Sequence, residues 1–518
     1  MAGKVRSSAL AWADIVVEGT LFLMQNYLTD IWKLSFFKAA AFLNIWGGIY
    51  RILPILIVFL AGNGRNSLLN FIMLAASGIF STTGLVLITY SALPAYRCHH
   101  QDREAQCVGP SEKIEFITGM ALIGLGKATR FAFSQPIMNI DEVETTNHED
   151  EDEIQAPGTI GDRPAPSLHE EYLNGPSCEL PRRILMYFRW ILVVFFFVTP
   201  AVAFFTFPYV KKWYLLFGIS AMCTLLATLS HLSGFRTYKE SVSTPATVVK
   251  QAAIKLLSQE LAIKLGFSSN PNTSSSQTTN ADHEQPPLKF DHTVFRMAML
   301  YTGWIICGIV SSIGNTYFVQ QATLMDYNIG HWKPPLQVLQ LIFLVFKLFY
   351  VVSLLPHEIF TIGEPKEVET SINSALMYSV LCCAAAAAVE RRRIHAARRR
   401  NLVDDAKTPM SAFWLFFQLC FLGIVEGSAK IGISLFQKQE APELIKRYRE
   451  LVGEAVTGFG YMCSVLSVYV VGKISETGGG KGWFQHTLNG SRLDRYYWVL
   501  TGLTGVKFLV LFVTFLYW

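Results

Sequence analysis

Charge is scarce in this chain. Asp, Glu, Lys and Arg together make up 16% of 518 residues, against 51% hydrophobic residues, and the mean hydropathy is +0.32. The net charge of +5 is small for this length and carries no nucleic-acid signature. Cysteine is sparse, at nine residues. Cys223, Cys307, Cys382, Cys383, Cys420 and Cys463 fall in apolar runs, where they read as packing residues. Catalytic and cofactor signatures are missing too. His99-His100 is too little for a metal site, Gly478–Gly480 with Lys481 lacks the spacing of a nucleotide motif, and no nucleophile constellation stands out. These absences argue against an enzyme and imply no cofactor. No cleavable signal is evident either, because the first apolar run carries Asp14 and Glu18 and continues past the usual length of such a segment.

What fills the chain is a set of twelve apolar segments, six on each side of one long polar stretch. They run over 8–31, 37–61, 67–92, 114–138, 184–209, 212–234, 293–318, 336–355, 371–389, 410–434, 452–474 and 496–517. Crossing ~30 Å of hydrocarbon takes ~17–25 helical residues, so each is long enough to span a bilayer. The charges cluster at 97–113, 141–183, 236–291, 391–407 and 438–450; such clusters cannot sit in lipid, so they mark the loops. The expected architecture is an all-α membrane protein of twelve transmembrane helices in two six-helix bundles. The first bundle covers 1–235, a linker covers 236–291 and the second bundle covers 292–518. An even number of spans puts both termini on one side, expected to be the cytosol. The basic run Arg391–Arg393 and Arg398–Arg400 conflicts with that, since it follows the ninth span and would face away.

Several loops have readable character. Residues 139–183 are acidic early (Asp141, Glu142, Glu144, then Glu149 to Glu153) and read as a disordered cytosolic insertion. Residues 244–266 place Val248, Val249, Ala252, Leu256, Leu257 and Leu261 near one helical face, with Lys250, Lys255 and Lys264 elsewhere, a pattern for a helix lying on the membrane surface. Residues 267–288 read as a flexible Ser/Thr/Asn-rich linker. Asn272, followed by Thr273-Ser274, is silent as a glycosylation acceptor if cytosolic. Cys98 and Cys107 share the loop after the third span and form either a disulfide or two free thiols. Asn489-Gly490-Ser491 lies in an outward loop and is a candidate glycosylation acceptor.

Ionisable residues inside the spans are the functional candidates. Each costs at least ~2.5–3.5 kcal/mol at the bilayer centre on insertion scales, so those that persist face a cavity or a partner. Asp14 and Glu18 share a face of the first span at i and i+4, and Lys127 and Arg130 lie at i and i+3 on the fourth. Glu426 and Lys430, at i and i+4 on the tenth, have the acid-before-base order that favours a pair within one helix. Together these six are expected to line a polar central cavity. Arg51, Arg189 and Lys347 read instead as structural pairs or snorkelling side chains at helix ends, and His231 is a further intramembrane candidate. Such a cavity suits an anionic or zwitterionic solute, because Arg and Lys neutralise carboxylate or nitrate oxygens and a carboxylate holds an amine. A carboxylate held away from water can also take up a proton and couple it to solute movement. The expected partners are a small solute, the lipid bilayer and, if those acids titrate, protons.

The residues that carry a family likeness run along nearly the whole chain. They are Tyr27-Leu28-Thr29; Leu43-Asn44-Ile45-Trp46-Gly47-Gly48 with Pro54; Gly64-Arg65; Val389-Glu390-Arg391-Arg392-Arg393 with Ala396-Ala397-Arg398; Met410 to Gln418 with Gly423 and Glu426; and Trp483, Leu488-Asn489, Leu493-Asp494 and Tyr497-Trp498. With these the chain resembles the plant nitrate/peptide transporter family, part of the proton-coupled oligopeptide transporters within the major facilitator superfamily. The resemblance implies alternating access between two bundles, with substrates that range over nitrate, short peptides, amino-acid-like metabolites, hormones and defence compounds, at the plasma membrane or a vacuolar or other endomembrane. It implies a substrate-contacting acid at Glu426.

The departures are as informative. The family's Glu-x-x-Glu-Arg of the first span, tied to proton coupling, falls here on Leu10-Ala11-Trp12-Ala13-Asp14, with both glutamates missing and an acid at the arginine position. The fourth-span Gly-Gly-Ile-Lys context is replaced by Lys127-Ala128-Thr129-Arg130. Ser311-Ser312 stands where some nitrate carriers have a histidine, and Gly62-Asn63-Gly64-Arg65 lacks the usual Asp. The reading is a secondary transporter with atypical or absent proton coupling, in which Asp14 and Glu18 form a substitute titrating pair. A transport-deficient receptor on the same fold is the alternative.

Overall fold

The computed structural model describes residues 2–61, 67–93, 109–134, 210, 212–233, 289–328, 331, 334, 336–360, 366–402, 406–439, 441–442, 445–446, 448–477 and 482–517. Outside these lie the fifth apolar segment 184–209 with Arg189, the acidic stretch 139–183, the surface helix expected over 244–266, the linker 267–288 and both Cys98 and Cys107. The other eleven apolar segments are all helical. In the first half they are α1 (Ala2–Phe22) with α2 (Met24–Asp30), broken only at Leu23, then α3 (Phe36–Ala61), α4 (Ser67–Ser91), α5 (Pro110–Ser134) and α6 (Trp213–Leu232). In the second half, α7 (Lys289–Ile313) passes through a π-helical turn, Gly314–Phe318, into α8 (Val319–Thr323). There follow α9 (Gln337–Phe360), α10 (Lys366–Arg399), α11 (Phe416–Gln439), α12 (Arg449–Glu476) and α13 (Leu493–Tyr517).

Eight of these helices are apolar and long enough to cross a membrane by length and composition alone. The helices α1 and α5 are not among them, and they carry Asp14, Glu18, Lys127 and Arg130. Large apolar side chains such as Phe59, Leu60, Phe349, Ile474 and Leu516 point outward, as lipid contact requires.

The helices sort into two bundles. In the first, α4 packs against α5 and α6, α1 against α6, and α3 against α5. In the second, α10 packs against α11 and α13, α9 against α11, and α7 against α12. One long contact joins the bundles, where α3 runs along α12. With no hydrophobic force between helices in lipid, such crossings depend on small residues that let backbones approach. A Cβ added at Gly48 would lie 2.8 Å from the Gly458 carbonyl oxygen, and one at Gly458 would lie 2.7 Å from that of Gly48.

Two expectations are corrected at the end of the molecule away from the termini. The ninth span does not stop at 389; α10 continues to Arg399, ~51 Å at 1.5 Å per residue, and so carries the basic run beyond the hydrocarbon on a helical extension. It closes on Asn401 at φ 50°, with the Leu402 amide donating to the Ala397 carbonyl at 3.0 Å, a left-handed terminus that asparagine tolerates. The extension is held by a wholly buried ion pair. Arg393 Nη2 and Nε donate to the two oxygens of Glu390 at 2.7 and 2.8 Å, and neither side chain is exposed. Gln321 donates to the same carboxylate at 2.7 Å and accepts from Gln418 at 3.0 Å.

The second correction concerns Asn489. Its oxygen accepts from Arg393 at 2.5 Å, its nitrogen donates to the Ala406 carbonyl at 3.1 Å, and only 9% of the residue is exposed. That amide nitrogen is inside the network rather than available to a sugar. Thiols behave as read: Cys307, Cys382, Cys383 and Cys420 are buried and free, and Cys223 and Cys463 are half-buried and free.

The α3–α12 crossing is directly testable. Gly458→Val would push against the Gly48 carbonyl and the Arg51 Cβ, which lie 2.7 and 2.8 Å from the added atom. Overpacking of this kind costs about 1–3 kcal/mol, so the variant in detergent should melt several degrees below wild type. Gly502→Val, at a position where nothing lies within 4 Å, should melt with wild type; equal behaviour of the two variants would contradict the packing described.

Candidate functional site: a charged cleft between the bundles

A cleft of about 740 Å³, its open mouth included, of which about 100 Å³ is enclosed space that water can enter, lies where Arg51 of the first bundle faces the second. It is lined by Arg51 of α3, Ser311 of α7, Lys347 of α9, Glu426 and Lys430 of α11, and Glu454 and Tyr461 of α12, among others. The mouth lies toward the end of α11 and the start of α12, where Gln437, Arg449 and Glu450 border it. By helix direction this is the side of the chain's termini.

Glu426 is the centre of the second bundle's polar cluster. One oxygen accepts from Lys347 Nζ at 2.8 Å; the other accepts from Ser311 Oγ and from Asn315 Nδ2 at 3.1 Å. Asn315 also donates to the Tyr461 hydroxyl at 2.9 Å. Asn315 sits in the π-helical turn, an irregularity often found at functional sites. The expected intrahelical partner is not used. Lys430 lines the cleft with an exposed side chain and makes no ion pair among the described residues. Helical spacing brings Lys430 near Glu426, but α9 brings Lys347 closer, and that pair is only partly exposed (33% and 16%).

On the first bundle's side, the two acids of α1 each take a cation from α5. Glu18 is bonded to Lys127, and Asp14 to Arg130. Arg130 is anchored further by donating to the Leu10 carbonyl at 3.1 Å and to Ser77 Oγ at 3.2 Å, so it acts as a strut inside the bundle. Mutual repulsion between Asp14 and Glu18, expected from their spacing alone, is offset by one cation apiece. Lys127 also lies 5.0 Å from the centre of the Tyr50 ring.

Arg51 joins the two sides. Its guanidinium stacks over Tyr50 at 4.7 Å and over Tyr461 at 4.3 Å, and its Nε lies 3.6 Å from Glu454 of α12. Glu18 falls within electrostatic reach of both Arg51 and Lys347, and Glu426 within reach of Arg51. Acids and bases from both bundles therefore share one field. Arg51 and Lys347, read from the sequence as structural pairs or snorkelling side chains, are paired with Glu454 and Glu426, and both also line the cleft. Glu454, Asn315 and Tyr461 went unremarked in the sequence. The signal available for Glu454 was an acid in the first turns of an otherwise apolar span. His231 has its Nε2 3.3 Å from the Phe71 carbonyl and its ring stacked on Phe71, away from this cluster.

Beyond the cluster, the side away from the termini is closed by aromatic rings drawn from both bundles. Phe36 of α3 meets Tyr317 at 4.8 Å, and Phe37 meets Phe484 at 4.6 Å and Tyr317 at 5.8 Å. Phe484 packs on Tyr496 of α13 at 5.4 Å.

Two bundles around a charged cleft, sealed on one side and open on the other, define a multi-pass membrane transporter rather than an enzyme. The chain belongs to the POT family, whose sequence model matches residues 194–484, more than half of its length. Among similar proteins of Arabidopsis thaliana, the NRT1/PTR family 5.5 protein is 28% identical over 98% of this chain and 95% of its own. The NRT1/PTR family 5.12 protein is 24% identical over 98% of this chain and 92% of its own. A crystal structure of a POT peptide transporter in complex with alafosfalin matches with a TM-score of 0.58 at 13% identity, covering 97% of this chain and 92% of that one. A POT family transporter in complex with 5-aminolevulinic acid matches with a TM-score of 0.55 at 10% identity, covering 99% and 95%. At such identities the likeness is one of fold: a helical membrane architecture of two bundles.

The contrast between Lys347 and Lys430 gives a test of the site's wiring. Lys347→Met removes the cation that faces Glu426 and should cost about 1–3 kcal/mol, as for a buried polar group left short of a partner, read as a lowered Tm. Lys430→Met should change stability by less than about 0.5 kcal/mol. The reverse order would restore the intrahelical pair.

Proposed function

We propose that this chain is a secondary carrier that moves a small anionic or zwitterionic solute, such as nitrate, a short peptide or an amino-acid-like metabolite, by alternating access. The observation that carries this reading is the cleft itself. Arg51 of the first bundle and Lys347, Glu426, Lys430 and Glu454 of the second face one space that is open toward the termini, with the ring contacts of Phe36, Phe37, Tyr317 and Phe484 on the other side. In this reading, residues 1–235 and 292–518 form the two moving bundles and 236–291 connects them. Lys430, exposed and without an ion pair among the described residues, offers a cation to a carboxylate or nitrate that has passed the mouth at Arg449. Glu426 then offers a carboxylate to an amine in exchange for Lys347. Solved POT family structures hold alafosfalin and 5-aminolevulinic acid, and ligands of those transporters are consistent with a zwitterion here.

Atypical coupling follows from the pairing. Asp14, Glu18, Glu426 and Glu454 are each neutralised by a basic side chain, respectively Arg130, Lys127, Lys347 and Arg51. None of the four stands alone waiting for a proton, and the Glu-x-x-Glu-Arg motif is missing. The chain thus works as a facilitator whose flux follows the solute gradient. Solute uptake in oocytes, screened at two external pH values with and without a proton ionophore, tests this. Flux should be nearly insensitive to the ionophore, and Glu426→Gln should lower it about tenfold or more, the scale of one charge-assisted contact. Ionophore-sensitive accumulation that survives the Asp14→Asn, Glu18→Gln double variant would overturn the facilitator reading. Ligand binding with no flux of any screened solute would favour a receptor.

A further inference from the structure

The basic run on α10 is not used by the cleft, and its arginines divide cleanly. Arg393 is buried with Glu390, whereas Arg391 and Arg392 are exposed and have no acidic partner among the described residues. Arg392 lies with its guanidinium 4.7 Å from the centre of the Trp414 ring. Trp414 belongs to the short 3₁₀ turn Ala412–Leu415 that opens α11. The same turn and the first residues of α11 present Phe413, Trp414, Phe416 and Phe417 outward, between 37% and 55% exposed. Exposed aromatics at the end of a span mark the level of the membrane interface, so the two free guanidinium groups sit at headgroup height.

A second observation points the same way. Between the start of α9 and the start of α11 lies a wholly apolar crevice lined by Leu336, Leu339, Ile342, Phe413 and Phe416, with Tyr327 and Pro334 at its edge. It shares Phe413 with the turn that carries Trp414. An apolar slot adjoining two unpaired cations at the interface has the chemistry of a phospholipid with an anionic headgroup: acyl chain in the crevice, phosphate on the guanidinium groups. Placing positive charge on the side away from the termini conflicts with the usual bias of membrane proteins, and a bound anionic headgroup supplies the missing counter-charge.

We propose that Arg391, Arg392 and Trp414, with the crevice beside Phe413 and Phe416, form a binding site for an anionic phospholipid in the leaflet away from the chain termini. The test uses the full chain, purified and transferred to nanodiscs of phosphatidylcholine containing a minor fraction of phosphatidylglycerol, with bound lipid counted by native mass spectrometry. Phosphatidylglycerol should be retained in preference to phosphatidylcholine. Arg391→Gln with Arg392→Gln should weaken that retention roughly 30-fold, the loss expected for two basic side chains near a headgroup. Independently, Ile342→Trp, which fills the crevice and leaves both arginines in place, should weaken it as well. Equal retention of the two lipids, or preference unchanged in both variants, would overturn the proposal. Displacement of the lipid by millimolar inorganic phosphate would instead assign the arginines to a soluble anion and also overturn it.

Discussion

Neutralising charge inside hydrocarbon is the constraint on which the rest of this molecule depends. Eight ionisable side chains of the spans at and beside the cleft form ion pairs, Asp14, Glu18, Arg51, Lys127, Arg130, Lys347, Glu426 and Glu454, while Lys430 is exposed in the cleft. Left separately in lipid the eight would cost on the order of 20 kcal/mol on insertion scales, more than the whole folding stability of an ordinary domain. They survive because they are paired across helices, α1 with α5, α9 with α11 and α3 with α12. Each pair fixes how its helices are rotated, so the same contacts that solve the charge problem also aim the cluster at the centre.

The two ends of the transporter are built from different chemistry. Toward the termini the polar, water-accessible cleft lies beside the α3–α12 crossing and a buried apolar contact of Val58, Ala132 and Phe133 with Leu451. Away from the termini the bundles meet through ring contacts among Phe36, Phe37, Tyr317 and Phe484, behind which Glu390, Arg393, Gln321, Gln418 and Asn489 form a buried hydrogen-bonded frame. A carrier that alternates must break one closure and make the other. Ring contacts are short-ranged and carry little charge, so they can separate without stranding an ion. The frame behind them is dense in hydrogen bonds within the second bundle, which favours that bundle moving as a unit.

The departure of the first span from the family pattern has a structural counterpart. Where the family places an arginine on the first span, this chain places Asp14, and Arg130 of α5 meets it. Glu18 with Lys127 repeats the arrangement one turn further along. The two pairs, Asp14 with Arg130 and Glu18 with Lys127, dock α1 on α5.

Hydropathy is local and additive, so the spans could be read from the sequence alone. Eleven of the twelve apolar segments are helices in the described residues, most of them longer at one end than expected; of the six charges expected to line a cavity, Glu426 and Lys430 line the cleft, whereas Asp14, Glu18, Lys127 and Arg130 pair with one another inside the first bundle. Pairing was a different matter. Spacing along one helix suggested Glu426 with Lys430, whereas α9 supplies Lys347; spacing along α1 suggested two acids in conflict, whereas α5 supplies a cation to each. Arg51 and Lys347 read as structural pairs or snorkelling side chains, and both are paired; that they also face the cleft was not readable, because depth says nothing about which way a helix is turned. Asn489 matched an acceptor pattern in three letters, but its amide is spent on Arg393 and Ala406. Which groups meet depends on the rotation and crossing of helices far apart in the chain, and those are set only when the whole bundle packs.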